Sequence, residues 1–173
     1  ALGVAIPLVV AISTTLSATN GLLIRNRTAF ETTRNLSTII FDKTGTLTYG
    51  RPEVQEIKLL SNVSEEKIVQ VAASLERYSK HPLADAIVQK AKAKKLALQE
   101  VSALSEKPGE GLRGRIGEDS YWITNRNKLS VVLPDLFQKL PERESGLECV
   151  LVSDKSVLAL FRFRDKPRLE GHA

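Results

Sequence analysis

The sequence contains few residues that bind soft metals or form cross-links. Its 173 residues include no methionine, one cysteine and two histidines. A single cysteine, Cys149, excludes a disulfide framework within the chain, and a soft-metal site requires several thiolate, thioether or imidazole ligands. We therefore expect Cys149, which lies in an apolar run, to be a packed structural thiol. We expect any site for a soft metal to lie outside these residues.

Aromatic residues and clusters of one charge are also scarce. Aromatic side chains make up 5% of the chain, and 25 basic residues stand against 20 acidic ones, for a net charge of +5. A nucleic-acid-binding surface would combine clustered basic residues with interleaved aromatics, whereas the densest basic run, 90–95, has the spacing of one helix face. We expect no nucleic-acid partner. The basic balance would suit an anionic nucleotide or a membrane surface, and net charge does not choose between them.

The N-terminal segment has no charged residue over positions 1–12. A helix that spans a membrane needs about 20 apolar residues, and a signal peptide would begin with a charged segment. Arg25 and Arg27 follow, as they do where a spanning helix emerges on the cytosolic side. We expect residues 1–19 to be the cytosolic end of a transmembrane helix, with a buried core helix as the alternative.

Hydrophobic periodicity and turn residues predict the elements of the remaining chain. We expect strands at 36–41, 53–60, 100–104, 112–116, 121–124, 148–152 and 157–164, and helices at 64–78, 82–96 and 134–140. The last two strands form a hairpin, and residues 49–52 form a turn and a boundary. The pattern over 51–164 predicts a compact α+β domain, an antiparallel sheet flanked by helices, inserted after a strand of α/β character.

The strongest chemical signal is segment 41–48, which reads Phe-Asp-Lys-Thr-Gly-Thr-Leu-Thr. It places Asp42 at the carboxyl end of a predicted buried strand, where open α/β sheets bind their ligands. Gly45 lets the next turn present backbone groups to a phosphate, and Thr44 and Thr46 add hydroxyl donors. Aspartate is a covalent nucleophile for phosphoryl groups. The segment therefore predicts a phosphorylated aspartate rather than a simple turn cap.

The string from Asp42 to Thr48 resembles that of the P-type ATPases, whose aspartate takes the γ-phosphate of ATP. The resemblance implies catalytic roles for Asp42, Lys43, Thr44 and Thr46. It also implies magnesium bound by Asp42 and the main-chain carbonyl of Thr44. Phosphatases of the same hydrolase superfamily carry a second aspartate two residues after the nucleophile, as general acid and base. Here that position is Thr44, so the group that would activate water is missing, which favours a pump over a phosphatase.

A second set of residues resembles the nucleotide-binding domain of the heavy-metal pumps in that family. Residues 79–84, Ser-Lys-His-Pro-Leu-Ala, resemble their His-Pro motif, and Glu76 lies five residues before His81. Residues 108–114 supply a glycine pair, and an Asn-Arg dipeptide follows Thr124, where the family usually has glycine. The resemblance implies that the base and sugar of ATP are surrounded by Glu76, His81, Gly109, Gly111 and Asn125.

Two other nucleotide-binding motifs are excluded. Residues 109–114 match the dinucleotide pattern G-x-G-x-x-G, but that fingerprint must follow a strand and open a helix. Here Pro108 precedes the glycines, and residues 115–124 have the pattern of a strand. The P-loop pattern G-x-x-x-x-G-K-[ST] does not occur, which excludes a P-loop ATPase.

The N-terminal segments narrow the resemblance further. Residues 5–10 and 20–31 resemble copper pumps, particularly those with Cys-Pro-His in the membrane, a tripeptide that would precede Ala1. The implied cargo is copper or silver, with zinc, cadmium or cobalt as the alternative. The cation would be bound outside these residues.

The resemblance covers only part of a pump. It implies the cytosolic end of a transmembrane helix and a connector at 1–30, followed by the first part of a Rossmann-like phosphorylation domain at 31–50. A nucleotide-binding domain follows at 51–164, and the chain returns to the phosphorylation domain at 165–173. Residues 170–173 resemble an affinity-tag remnant. The sequence lacks the Gly-Asp-Gly-x-x-Asn-Asp motif that helps hold magnesium in the family, and the phosphatase loop of the actuator domain.

We therefore expect the parent protein to be a multi-pass membrane protein with this region mostly cytosolic. Its partners would be ATP and the other domains of the same pump. We expect the isolated chain to bind nucleotide weakly and to turn over poorly. The alternatives from other classes are a phosphatase of the hydrolase superfamily and a nucleotide-binding module that is inactive on its own.

Overall fold

The computed structural model describes residues 2–154 and 156–169. The chain divides into two compact units, with the boundary between Phe41 and Asp42. In the first unit, α1 spans Leu2–Thr19 and α2 spans Arg27–Thr32, followed by a 3-10 turn at Thr33–Asn35.

The apolar helix α1 forms where the sequence predicts a helix. It is 18 residues long, carries Pro7 inside, and has neither an acidic first turn nor a basic last turn. Over residues 2–154 and 156–169, no helix has the length and apolar character needed to cross a membrane. The interpretation of residues 1–19 as the end of a longer transmembrane helix stays a prediction.

The second unit alternates strands and helices along the chain. Its elements are β1 Thr48–Leu59, α3 Glu65–Glu76, α4 Pro82–Ala93, β2 Ser102–Lys107, β3 Gly111–Ile116, β4 Asp119–Thr124, α5 Arg126–Val132, α6 Pro134–Phe137, β5 Leu147–Ser153 and β6 Val157–Pro167. All six strands form one sheet in the order β1-β6-β5-β4-β3-β2, and every neighbouring pair is antiparallel. This confirms the predicted antiparallel sheet flanked by helices.

The two faces of the sheet are covered by different helices. Because side chains alternate along a strand, Leu151 of β5 joins a core with α3 and α4, whereas Val150 and Val152 join a second cluster with α5 and α6. The side chain of Ser64 caps α3 by accepting a hydrogen bond from the Lys67 N–H at 3.3 Å. Pro82 begins α4 at the first turn, where a missing N–H has no consequence.

The strand predicted at 36–41 does not form, and that prediction is wrong. Ile39, Ile40 and Phe41 are 67%, 91% and 61% exposed, in an unpaired segment. Strands of a parallel sheet are buried on both faces and depend on neighbouring strands. None of the strands that the structure describes pairs with this segment, so its apolar pattern has nothing to pack against.

Two other local predictions are corrected. Strand β1 begins at Thr48 and runs through the predicted turn at 49–52, with its pairing to β6 interrupted between Thr48 and Pro52. Pro52 is tolerated because β1 is an edge strand. The helix predicted at 134–140 is only the four-residue α6, and the preceding helix α5 was missed because its short sequence shows little helical periodicity. The suggested tag remnant at 170–173 lies outside the described residues.

Gly114 of β3 packs closely against Leu75 of α3 and against Val101. A Cβ at this position would lie 2.6 Å from Val101 Cγ1 and 2.8 Å from Leu75 Cδ2. Gly114→Ala should lower the free energy of unfolding by about 1–3 kcal/mol, because overpacking forces well-packed neighbours to shift. Urea unfolding followed by circular dichroism measures the loss.

Val101→Ala provides the matched control for this substitution. It removes the methyl group nearest to the added Cβ, so the double variant should lose less stability than the sum of the two single variants. Strictly additive losses would show that the crowding at Gly114 is not the cause.

Candidate functional site

The predicted nucleotide-binding residues line one cavity in the second unit. The cavity has a volume of about 590 Å³ and lies between the end of α3, the start of α4, the β2–β3 turn and the start of β5, a size typical of small-molecule sites. All five predicted residues, from Glu76 to Asn125, contribute to its wall. Sequence reasoning missed several other lining residues: Ser79, Glu106, Lys107, Leu147, Glu148 and Cys149.

Glu76 is the buried acidic group of this cavity. It is the last residue of α3 and is 7% exposed. Burial, and to a smaller extent the negative charge of Glu106, together raise the pKa of Glu76 from 4.5 to about 7. Because both protonation states are populated near neutral pH, this carboxyl group can act as a hydrogen-bond donor as well as an acceptor.

A chain of hydrogen bonds fixes His81 at the cavity wall. His81 caps α4, and its Nδ1 accepts from the Leu83 N–H at 3.2 Å. Its own backbone N–H donates to Ser79 Oγ at 3.1 Å, and Ser79 Oγ donates to Glu106 Oε1 at 2.7 Å. With Nδ1 as acceptor, the neutral ring carries its proton on Nε2 and can donate it to a ligand. His81 is therefore both a helix cap and a cavity residue.

The two predicted glycines have different physical roles. Both lie in the left-handed region, at φ +74° for Gly109 and +99° for Gly111. A Cβ on Gly111 would lie 2.1 Å from the Ile123 carbonyl oxygen, whereas one on Gly109 would meet nothing within 4 Å. Gly111 is therefore required by the approach of β3 to β4, while Gly109 leaves open space beside the cavity.

Residues of β4 hold the turn that contains these glycines. Trp122 Nε1 and Thr124 Oγ1 both donate to the Glu110 carbonyl, at 3.0 and 2.9 Å. The Asn125 side chain caps α5 by accepting from the Lys128 N–H at 2.8 Å, and its Nδ2 lies 3.5 Å from the Gly109 carbonyl. Thr124, which departs from the family pattern, thus anchors the turn.

A nearly buried ion pair fixes the opposite wall. Arg126 Nε lies 2.6 Å from Glu148 Oε1, and both side chains are only 10% exposed. Arg126 also donates from Nη1 to the Pro141 carbonyl at 2.8 Å. The pair joins the start of α5 to β5, and removing one member of such a pair would leave an uncompensated buried charge.

The predicted catalytic residues lie together in one loop, 42–47, and do not line the cavity. Asp42 is exposed and precedes a turn in which Gly45 adopts φ +82°. Thr48 closes the turn: its buried hydroxyl group donates to Asp165 Oδ2 at 2.5 Å and accepts from the Gly45 N–H at 3.3 Å.

Asp165 and Arg168 anchor this loop to the end of β6. Asp165 Oδ1 accepts from the Arg51 N–H at 3.0 Å. The Arg168 guanidinium group donates to the carbonyls of Gly45 and Thr48 at 3.2 and 3.3 Å. Sequence reasoning treated residues 165–168 only as a return of the chain. The opposite charges of Asp165 and Arg168, at the end of the strand predicted at 157–164, are the sequence feature that could have indicated a structural role.

The loop offers hard oxygen ligands to a metal. The predicted ligands are the Asp42 carboxylate and the Thr44 carbonyl, the donor types that Mg²⁺ takes beside substrate phosphates and water. Among the residues described, no group of three or more His, Cys, Asp or Glu side chains could hold a metal ion. The two predicted oxygen donors are of the type that Mg²⁺ binds.

A comparison with protein families identifies the fold. The sequence model of the haloacid dehalogenase-like hydrolases matches residues 36–169. This range includes the Asp42 loop, the whole six-stranded sheet and the Asp165–Arg168 anchor.

Comparison with individual proteins gives a narrower similarity. The copper-exporting P-type ATPase B of Archaeoglobus fulgidus is 48% identical over 99% of this chain and 25% of its own length. The catalytic domain of the CPx-ATPase CopB-B, solved in a study of nucleotide binding, superposes with a TM-score of 0.70 at 29% identity, over 90% of this chain and 55% of that one.

A zinc-transporting PIB-type ATPase in its E2.Pi state has a TM-score of 0.62 at 27% identity, over 76% of this chain and 22% of that one. The chain spans about a quarter of the length of the curated relatives it matches. The resemblance to P-type ATPases of the heavy-metal branch is thereby confirmed.

The raised pKa of Glu76 predicts a pH-dependent stability. Between its ordinary 4.5 and about 7, the folded state keeps a proton that the unfolded state has lost. The stabilisation is complete below 4.5 and is lost as pH rises through about 7, by at most about 3 kcal/mol. Urea unfolding at about pH 5 and about pH 8 should show this loss of stability in the wild type and less of it in Glu76→Gln.

The matched control is Glu118→Gln, at an exposed turn residue, which should behave like the wild type. An equal loss of stability in Glu76→Gln would contradict the assignment of the pH dependence to Glu76.

The two glycines should differ in their tolerance of alanine. Gly111→Ala should cost more than about 3 kcal/mol or prevent folding, since a left-handed conformation is combined with a backbone clash. Gly109→Ala should cost only the conformational strain of about 1–2 kcal/mol. Urea unfolding of both variants measures the difference, and equal losses would show that the contact with Ile123 is not decisive.

Proposed function

We propose that this chain, which belongs to the haloacid dehalogenase-like hydrolases, is the nucleotide-binding and phosphate-accepting region of a P-type ATPase that transports a heavy-metal cation. The observation that carries the proposal is the convergence of Glu76, His81, Gly109 and Asn125 on one cavity. The same residues are those that the sequence resemblance to a nucleotide site predicts.

The cavity has the groups needed to bind an adenine ring and its ribose. Glu76 can accept a hydrogen bond from the exocyclic amine, and His81 Nε2–H can donate to the base or the ring can stack on it. The open space beside Gly109 lets the backbone approach the ligand closely. Lys107, which also lines the cavity, adds a positive charge that suits an anionic nucleotide.

Phosphoryl transfer would take place at Asp42. A carboxylate oxygen of Asp42 forms a bond to the γ-phosphorus while the bond to the β–γ bridging oxygen breaks, which leaves an aspartyl phosphate and ADP. Lys43 adds positive potential, and the Thr44 and Thr46 hydroxyl groups donate to the phosphoryl oxygens. Magnesium, when bound with the nucleotide, offsets charge on the transferring group.

The residue at position 44 determines how long the phosphoenzyme persists. Thr44 cannot act as a general base, so these residues supply no carboxylate to activate water against the aspartyl phosphate. The intermediate would then last until another domain of the parent promotes hydrolysis. No observation favours the phosphatase alternative.

The cargo is proposed from the relatives. One is named as a copper exporter and a structural neighbour as a zinc transporter, and the higher identity lies with the copper exporter. We propose copper(I) or silver as the cation, bound outside this chain. The parent would be a multi-pass membrane protein, with this region in the cytosol and the remaining pump domains as its partners.

The parent protein in membranes provides the test. With γ-labelled ATP and magnesium, it should acquire acid-stable, hydroxylamine-sensitive label that is absent in Asp42→Asn, because only an acyl phosphate has this stability. Copper(I), silver, zinc and cadmium are added one at a time, and copper(I) or silver should increase the label.

Asp135→Asn, on the exposed start of α6, is the matched control and should label like the wild type. Asp42→Asn should still bind ATP, which separates loss of the acceptor from loss of the fold. Absence of label under every metal, in a protein that binds ATP, would refute the pump.

A further inference from the structure

Two carboxyl groups from different elements face the same cavity. Glu76 ends α3, and Glu106 lies on β2, opposite Leu112 in the β2–β3 pair. Both line the cavity, and the charge of Glu106 acts directly on Glu76. Two carboxylates in one site cannot both ionise without mutual repulsion.

Glu106 also supports the second group that would contact the base. Its Oε1 accepts from Ser79 Oγ at 2.7 Å, and Ser79 Oγ in turn accepts from the His81 backbone N–H at 3.1 Å. The resemblance to the heavy-metal pumps implies no role for Glu106. It nevertheless acts on both Glu76 and His81, without being one of the predicted base contacts itself.

We propose that Glu106 is a positioning residue of the nucleotide cavity, which makes Glu76 take up a proton when a nucleobase enters and which fixes His81 through Ser79. This inference rests on the proposed function, since it concerns the same cavity. If Glu106 has this role, nucleotide affinity depends on pH, and Glu106 determines the pH range over which the affinity changes.

Proton uptake follows from the surroundings of Glu76. A base that fills the cavity removes the remaining water from the carboxyl group, and the phosphates bring further negative charge, so both effects disfavour the ionised form. The neutral carboxyl group carries a donor beside an acceptor. The edge of an aminopurine offers the complementary pair, an exocyclic amine beside a ring nitrogen, so a neutral Glu76 can make two hydrogen bonds where a carboxylate makes one.

The other titratable groups that line the cavity do not offset the effects that raise the pKa of Glu76: Lys107, the basic side chain among them, is not a cause of the shift. On β5, Glu148 is paired with Arg126, and burial raises the pKa of the Cys149 thiol well above its ordinary value, so the thiol stays neutral. At the start of α4, Nδ1 of His81 is engaged with the Leu83 N–H. Glu106 is thus the charged group that adds to the effect of burial on Glu76.

The consequence is a nucleotide affinity that falls as pH rises through neutrality. If binding takes up one proton, the dissociation constant rises by up to about tenfold for each pH unit above the pKa of the ligand-free carboxyl group. Replacing Glu106 by glutamine removes the repulsion. Glu76 then ionises at lower pH, and the whole profile should move to lower pH.

The test measures ADP binding to the full 173-residue chain by isothermal titration calorimetry. Titrations in two buffers of different ionisation enthalpy, over a series of pH values, give both the dissociation constant and the number of protons taken up. The carboxyl ¹³C shift of Glu76 in ¹³C-glutamate-labelled protein, followed with pH, assigns the proton directly. Protonation of ADP itself is common to all variants and cancels in their comparison.

The expected results differ among four variants. Glu76→Gln should lose the additional proton uptake, and Glu106→Gln should retain it with a midpoint at lower pH. Ser79→Ala should weaken binding severalfold without moving the midpoint, because it breaks only the link to His81. Glu118→Gln, which removes the same charge from an exposed turn, should match the wild type.

Four results would overturn the inference. Proton uptake that persists in Glu76→Gln would place the proton elsewhere, and an unchanged midpoint in Glu106→Gln would remove Glu106 from its role. ADP binding with no proton uptake in the wild type would refute the inference while leaving the nucleotide site intact. A folded wild-type chain that binds no ADP would refute the proposed function and this inference together.

Discussion

The antiparallel pairing of β1 with β6 is the constraint on which the rest of the second unit depends. It sets Thr48 opposite Pro167. Residues near the start of β1 and near the end of β6, which are far apart in the sequence, therefore become neighbours. The Thr48–Asp165 hydrogen bond and the contacts of Arg168 with the loop carbonyls follow from this register. A domain inserted between these strands can fold as a unit while its two ends stay beside the proposed phosphate acceptor.

The proposed nucleotide cavity is built at some expense in stability. A buried carboxyl group at the end of α3, with a second one nearby, is less favourable than an apolar residue at the same place. The surrounding contacts are correspondingly firm, with an anchored turn at Glu110 and a nearly buried Arg126–Glu148 pair. Rigid walls around one ionisable group are the arrangement expected of a site whose electrostatics serve binding.

Local chemistry explains which predictions succeeded. Short-range signals place the start of α3 at Ser64, the start of α4 at Pro82 and the β5–β6 hairpin. These signals are helix caps, turn residues and alternating hydrophobicity, which are all present in neighbouring residues of the sequence. The strand at 36–41 failed because its apolar pattern is stable only beside other strands. Helix α5 was missed because its short sequence shows little helical periodicity, although the Asn125 side chain caps it.

The sequence by itself determined the class of chemistry, since the Asp42 loop and the set from Glu76 to Asn125 are patterns of residue type and spacing. It also determined helices α3 and α4 and the β5–β6 hairpin, whose stabilising contacts are short-range. Only the tertiary structure decided that Glu106 lies near Glu76 and is linked to His81 through Ser79. It also decided that Asp165 and Arg168 form hydrogen bonds that anchor the Asp42 loop. Desolvation and hydrogen bonding between distant segments depend on how those segments pack together. They therefore cannot be predicted from the residues that are neighbours in the sequence.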